Sequence, residues 1–305
     1  MKINDSVDFN LYRIFYFVAK TGSFSKTAEK LYVSQPSISY AIKNLEDMLE
    51  TKLFHRLPKG VELTPAGKNL MFYVESAYNT LTLGQKMLNT DLNNSDVGEL
   101  SIGVPSHIGI FFLSKYISNF HRRFPNIKIK IFSGSTSKLV EMMETHKVDF
   151  VVDAIPIIGK YKKIMVQSLK DFEYCFAVSK NYKDMDIKKN ITVEELSNMP
   201  LMLPVKGNKN RNALDLYFSD KNISVNPIIE VSTTEMMINF TKRGMGIGYF
   251  IREAIQDNLE NGSFIEINIK EDLPKERVAV AYIEETLTAI SQKFLDLFVE
   301  YEINN

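Results

Sequence analysis

The stretch from Ser23 to Gly67 constrains the fold of this chain more than any other, because it spells two short helices and a tight β-ribbon in quick succession. Ser25 reads as the cap of the first helix, whose Ala28 and Leu31 turn inward, and Tyr32-Val33 carries the chain to Ser34. Ser34 reads as the cap of the second, since its hydroxyl can accept an orphan backbone N–H. Pro36 fits the first turn, where its missing N–H costs nothing. Ile38, Ala41, Ile42, Leu45 and Leu49 then recur at spacings of three and four, which is the buried stripe of a helix. The opposite side presents Tyr40 and Lys43, flanked by Ser37, Ser39 and Asn44. These are donors and acceptors suited to the base edges and phosphates of duplex DNA. The far end, with Glu46, Asp47 and Glu50, is acidic, so DNA is expected to meet only the first half.

A lone helix of this kind also suits the solvated face of any helical domain, and its neighbours are what favour the DNA reading. Leu11, Ile14, Phe15, Val18 and Ala19 form a preceding helical stripe that stops at Gly22, giving three helices joined by short loops. Lys52 to Arg56 and Val61 to Thr64 read as two short strands around Leu57-Pro58-Lys59-Gly60, a ribbon that would set Arg56 and Lys59 beside phosphates.

Three pieces, FxxVAKTGSFSKTAEKL, VSQPSISYAIKNLE and LFHR with GVELTPAG, together resemble the winged helix-turn-helix of the LysR-type transcriptional regulators. The resemblance implies that Gln35, Pro36, Ser37, Ser39, Tyr40 and Lys43 lie at the DNA, with Arg56 in the wing. Ser25, Ser34 and Lys59 complete the expected DNA-facing set. Tyr40 stands where an arginine is frequent in that family, which removes a bidentate guanine reader.

Thr64-Pro65 restarts a helix. Ala66, Leu70, Tyr73, Val74, Ala77, Leu81 and Leu88 mark an apolar seam running to about Asn89, a rod of about 37 Å. The seam can pack on the winged domain, on a second copy of itself, or on both. The resemblance favours a dimerisation helix, hence a homodimer or homotetramer on an interrupted inverted repeat, with RNA polymerase kept as a further partner. Residues 91–98 read as a linker. Beyond it, strands at Leu100 to Val104, Ile127 to Ile131 and Val148 to Val152 alternate with helices, which predicts a parallel βαβαβ sheet. Strands at Phe172 to Ser179, Leu201 to Leu203, Ile228 to Val231 and Val278 to Ile283 follow. Ser232-Thr233-Thr234-Glu235 reads as a capping box, and a last helix runs from Leu287 to about Glu302.

The expected fold class is therefore α/β with an N-terminal winged helix-turn-helix, a long linker helix and a C-terminal two-lobed α/β domain. The last part resembles the periplasmic-binding-protein-like regulatory domain of the same family. The expected divisions are 1–64, 65–90, 91–98 and 99–305, with lobe I at 99–165 and 272–305, lobe II at 166–271, and crossings near Ile164 to Leu169 and Ile267 to Pro274. Ligands of such sheets settle outside the carboxyl ends of the strands, where helix amino termini offer free N–H groups. Ser106, His107, Ser133, Gly134, Ser135, Thr136, Pro204, Gly207, Ser232 and Thr233 fall there and favour a small anionic effector such as a carboxylate. Each could also be no more than a helix cap.

Charge is balanced, 37 basic against 37 acidic residues, which argues against indiscriminate coating of nucleic acid. The polar, acidic start and the lack of a long apolar run lead us to expect a cytosolic (cytoplasmic) protein that neither spans a membrane nor is exported. The single Cys175 excludes an internal disulfide and reads as core packing. Gly244-Met-Gly-Ile-Gly248 follows a helix and leads into a strand, the reverse of a dinucleotide loop. The four histidines lack metal-ligand spacing, and Asp149 with Asp153 reads as an ordinary strand end. No catalytic set, metal site or cofactor is expected. The C-terminal two thirds alone would suit a solute-binding or transport-associated protein, against which the N-terminal reader and the missing export signal speak. An enzyme on an α/β scaffold is disfavoured by the lack of an acid, base and nucleophile set, so the expected function is an effector-modulated transcription regulator.

Overall fold

The computed structural model describes residues 7–89, 96–160, 163–182 and 190–303, and the chain divides into two compact units. Residues 91–95 of the expected linker and the side chain of Leu88 lie outside the described residues.

The first unit holds residues 1–95 together with 141–148. Helix α1 (Phe9–Thr21) buries Leu11, Phe15, Phe17 and Val18 and ends where Gly22 turns left-handed at φ 63°. Helix α2 (Phe24–Leu31) is capped by Ser23, whose Oγ accepts from the Lys26 N–H. The expected cap, Ser25, lies too late in the chain: Ser23 is the last residue in extended conformation, and Ser25 is exposed within the helix. Helix α3 (Gln35–Met48) begins as expected, with the Ser34 side chain on the Ser37 N–H, and it buries Ile38, Ala41, Ile42 and Leu45.

Strands β1 (Phe54–Leu57) and β2 (Gly60–Leu63) pair with Leu57 opposite Gly60, so the first strand ends later than expected and only Pro58-Lys59 form the turn. The ribbon is pinned to α1 by a bond from the Val61 N–H to the Gly22 carbonyl. The expectation that Glu46 belongs to a solvated acidic end is overturned. It is 8% exposed, and one oxygen accepts the N–H groups of Leu53 and Phe54 while the other meets Lys52 Nζ at 2.7 Å. Sequence position sets it beside exposed Asp47, but the chain entering β1 covers it.

Helix α4 (Pro65–Asn89) spans the expected range. Met71 is buried, Leu70 and Val74 pack on the same core, and Tyr78 stacks on Tyr16 at 4.5 Å. Buried Glu75 pairs with Lys20 at 2.6 Å and with Lys147 at 2.7 Å. Tyr73 and Leu81 of the expected seam are exposed. At the start of α4, a Cβ on Gly67 would strike the Leu53 carbonyl oxygen, which is already held by the Thr64 N–H. Gly67→Ala is accordingly expected to cost about 1 to 3 kcal/mol of stability, read as a lower melting temperature of the first unit.

The second unit, residues 96–140 and 149–305, is a two-lobed α/β fold built on a mixed nine-stranded sheet. Its strands are β3 (Gly98–Gly103), β4 (Ile127–Phe132), β5 (Phe150–Ala154), β6 (Met165–Ser179), β7 (Leu201–Pro204), β8 (Ile229–Val231), β9 (Ile247–Ile251), β10 (Phe264–Glu266) and β11 (Lys275–Tyr282). The order is β4-β3-β5-β11-β6-β9-β7-β8, with β10 on β6. As expected, β3 runs parallel to β4 and β5; β7 in turn runs parallel to β8 and β9.

Three expectations fail. The third strand of the parallel set begins at Phe150 rather than Val148, because Val148 still closes the turn after the preceding helix with its N–H on the Met142 carbonyl. The strand expected from Phe172 starts at Met165, because the first half of β6 pairs antiparallel with β11 and its second half with β9. Antiparallel β11 also joins β5, so the sheet is mixed. The Ser232 to Glu235 capping box does not form; Thr233 is the cap, accepting from the Met236 N–H. A full capping box stands instead at Thr192 and Glu195. The core is rich in phenylalanine, with Phe112, Phe150, Phe172, Phe176, Phe294 and Phe298 all buried. Cys175 is buried with Met202, Phe250 and Phe264, and burial pushes its thiol up, which suits a packing role.

Candidate functional site

Two sites emerge, one in each unit. In the first, the two sides of α3 have opposite fates. Ile38, Ile42 and Leu45 anchor it to the α1–α2 core, while Ser34, Gln35, Pro36, Ser37, Tyr40 and Lys43 are exposed and Ser39 is half-buried. Tyr40 is 73% exposed, an unusual position for so large a ring. The Ser34 and Ser37 hydroxyls share an exposed hydrogen bond of 2.7 Å at the start of the helix. Arg56 and Lys59 are exposed on the ribbon, and the Arg56 guanidinium rests 5.7 Å from the ring centre of Phe24. Ser25 is exposed on α2. Each of the ten residues singled out in this part of the sequence is thus at least partly open to solvent.

In the second unit, Ser106, His107, Ser133, Gly134, Ser135, Thr136, Pro204, Gly207, Ser232 and Thr233 all line one cavity of about 850 Å³. Four helical segments begin at its wall, with first residues Ser106, Thr136, Lys209 and Thr234. The Ser106 and Ser133 hydroxyls meet at 2.8 Å. Pro204 is held by fully buried Arg211, which donates to its carbonyl at 2.7 Å and also pairs with Asp215 and Glu230. Burial pushes the His107 imidazole below its ordinary value, against the opposing charges of Asp153 and Glu235, so the ring is neutral at neutral pH.

Sequence reasoning missed Asp153, Lys209, Tyr249 and Glu276, which line the same cavity. Asp153 is buried at 2% exposure, so it is more than an ordinary strand end. A signal for Glu276 was present: it shares a strand face with Val278 and Val280, both in the core. Asp149 does not line the cavity and instead accepts the Ser101 N–H at 2.7 Å.

Comparison with known proteins brings both sites under one heading. The family described as "LysR substrate binding domain" matches residues 93–302, and "Bacterial regulatory helix-turn-helix protein, lysR family" matches residues 9–68. The HTH-type transcriptional regulator YofA of Bacillus subtilis is 27% identical over 243 residues, covering 80% of this chain and 81% of YofA. Among solved structures, a cysteine variant of full-length OxyR from Pseudomonas aeruginosa superposes with a TM-score of 0.71 at 20% identity, covering 96% of this chain and 97% of that one. Full-length CbnR complexed with its target DNA gives 0.55 at 18% identity, covering 95% and 97%.

Proposed function

The chain belongs to the LysR family of bacterial helix-turn-helix regulators, and from that premise we propose how its own residues divide the work of reading DNA and sensing a small molecule. Membership makes it a DNA-binding transcription regulator with an effector-binding domain rather than an enzyme. Residues 1–64 form the reading head, 65–90 a pairing helix, 91–98 a linker and 99–305 the effector-binding part. The lobes comprise 99–165 with 272–305 and 166–271, and β6 pairs with a strand of each.

The polar side of α3 enters the major groove. Gln35, Ser37, Ser39, Tyr40 and Lys43 face base edges and phosphates, Ser25, Ser34 and Pro36 approach the backbone at the helix starts, and Arg56 and Lys59 hold phosphates from the ribbon. The observation that carries this reading is the exposure of that side on a helix whose other side is core. Tyr73 and Leu81, exposed on α4, pair two copies, so the target is an interrupted inverted repeat read by a homodimer or homotetramer. The regulator works in the cytosol, contacting RNA polymerase at its promoters. Among the described residues no helix is long and apolar enough to cross a membrane.

The effector occupies the cavity between the lobes, with a carboxylate against the hydroxyls and helix starts at Ser106, Ser133, Ser135, Thr136 and Thr233. His107, Gly134, Pro204, Gly207 and Ser232 shape the same wall. Binding closes the lobes and shifts the placement of the reading heads, with a coupling of about 1 to 3 kcal/mol. Footprinting of the full-length protein on its upstream DNA, with and without a panel of small carboxylates, tests this. At least one carboxylate should change the protection pattern, and the double variant Ser106→Ala, Thr136→Val should need on the order of ten times more of it. A pattern indifferent to every carboxylate would refute the effector assignment and leave DNA binding standing.

A further inference from the structure

Resting on that reading of the cavity, we infer that the effector is a small zwitterion of the α-amino acid class, its ammonium group seated on a floor made by Asp153, Glu276 and Tyr249. Asp153 lies near the end of β5 and is 2% exposed. One of its oxygens accepts the Ala154 N–H at 2.7 Å, whereas the buried Oδ2 has no hydrogen-bond partner among the described residues. A buried carboxylate oxygen without a donor is costly, and a ligand that brings an N–H donor removes that cost.

The neighbouring groups repeat the pattern. Glu276 on β11 accepts from the Tyr174 hydroxyl at 2.9 Å. The Tyr174 ring stacks on Tyr249 at 4.7 Å, and the Tyr249 hydroxyl, on a residue 3% exposed, likewise has no partner among the described residues. Burial pushes the Glu276 carboxyl up, and the charge of Asp153 pushes it further, against the pull of the Tyr174 hydrogen bond and of Lys209. Two acids therefore share one poorly solvated place.

Lys209 brings one positive charge, but its Nζ donates to the carbonyls of Ala154 and Pro156, its charge offsets Glu276 only in part, and His107 is neutral. Glu235 at the cavity wall adds negative charge. The floor thus offers more acceptors and negative charge than donors, and an ammonium brings three donors and a positive charge to a site of low dielectric. A carboxylate would be repelled from the floor and accepted at the helix starts, so a molecule with both groups, in this order, fits the cavity from floor to rim.

The test is calorimetric titration of the full-length protein with matched pairs: glycine, L-alanine, L-serine and L-glutamate against glycolate, L-lactate, L-glycerate and 2-hydroxyglutarate. At least one amino acid should bind at least ten times more tightly than its hydroxy-acid partner. Asp153→Asn, which keeps the acceptor for the Ala154 N–H, should abolish that difference in a protein that still unfolds cooperatively on heating. Hydroxy acids binding as tightly as amino acids, unaffected by Asp153→Asn, would overturn the ammonium floor and leave the effector cavity standing. Absence of binding by all eight compounds would overturn the amino-acid assignment, and the carboxylate footprint would then decide the cavity by itself. Should Asp153→Asn fail to fold, Glu276→Gln measured on the same pairs distinguishes the same two outcomes.

Discussion

Replacing Ser37 and Lys43 together by alanine is expected to weaken sequence-selective DNA binding on the order of 100-fold at moderate ionic strength, about 3 kcal/mol, with no loss of thermal stability. Both residues are exposed on the open side of α3, and neither contributes to the core that Ile38, Ala41, Ile42 and Leu45 form behind it. The exposed Ser34–Ser37 hydroxyl bond is lost, but the capping bond at the start of α3 survives the change, because it uses the Ser37 backbone N–H. Alanine is also the better helix former, so a folding defect is not available as an explanation. The affinity loss, read by fluorescence anisotropy on upstream DNA, would come from one lost hydroxyl contact and one lost ammonium per head. From Lys20 to Lys68 the basic residues 20, 26, 30, 43, 52, 56, 59 and 68 exceed the acidic 29, 46, 47, 50 and 62 by only three. Little phosphate attraction is therefore held in reserve, and because the variant lacks one phosphate-neutralising charge per head its affinity should fall less steeply with salt than that of the wild type.

Glu46→Ala should act on the opposite side of the same helix and do the reverse, destabilising the first unit by roughly 2 to 3 kcal/mol while touching none of the residues proposed to face DNA. The wild-type carboxylate holds the N–H groups of Leu53 and Phe54 at 2.8 and 3.2 Å, both buried, and so fixes the entry into β1 and the wing. Alanine leaves two buried donors unpaired. Calorimetry should show the loss as a drop on the order of 10 °C in the melting of this unit. The pH dependence carries the same signature. Burial by itself would raise the carboxyl, but the hydrogen bonds from Lys52, Leu53 and Phe54 outweigh it and hold the group below its ordinary value. The stabilisation is therefore present in full above the ordinary carboxylate value, and it is lost as acidification passes through the lower folded one. In the alanine variant that acid-dependent part should vanish.

These three residues mark what can be read from residue order. The α3 stripe, its Ser34 cap and the extent of α4 follow from periodicity and local chemistry, and the structure returns them nearly unchanged. Helical spacing misplaces Glu46 because its burial depends on a chain that passes over it seven residues later. Helix Lys209–Asp220 escapes the same reading for a related reason: its buried side is Arg211, Leu214 and Phe218, and the charge at the first position hides the stripe. The continuity of β6 is hidden because its solvent-facing half is polar and gains its order from pairing with β11.

The cavity shows the same division. Its hydroxyl-bearing rim lies at the ends of strands, where the alternation of elements announces a ligand edge, and all ten expected positions meet there. Its acidic floor comes from the antiparallel β11 laid beside β5, a pairing between segments more than a hundred residues apart. Only the folded sheet brings Glu276 near Asp153.

Whether α3 reads bases is decided by one quantity, the ratio of affinity for a selected operator to affinity for a scrambled duplex of equal length and charge. It is to be measured for the wild type and for the Ser37→Ala, Lys43→Ala variant. The wild-type ratio should be large and should collapse toward one in the variant, while weak binding to the scrambled duplex persists. An unchanged ratio would contradict the claim that this side of α3 reads the bases.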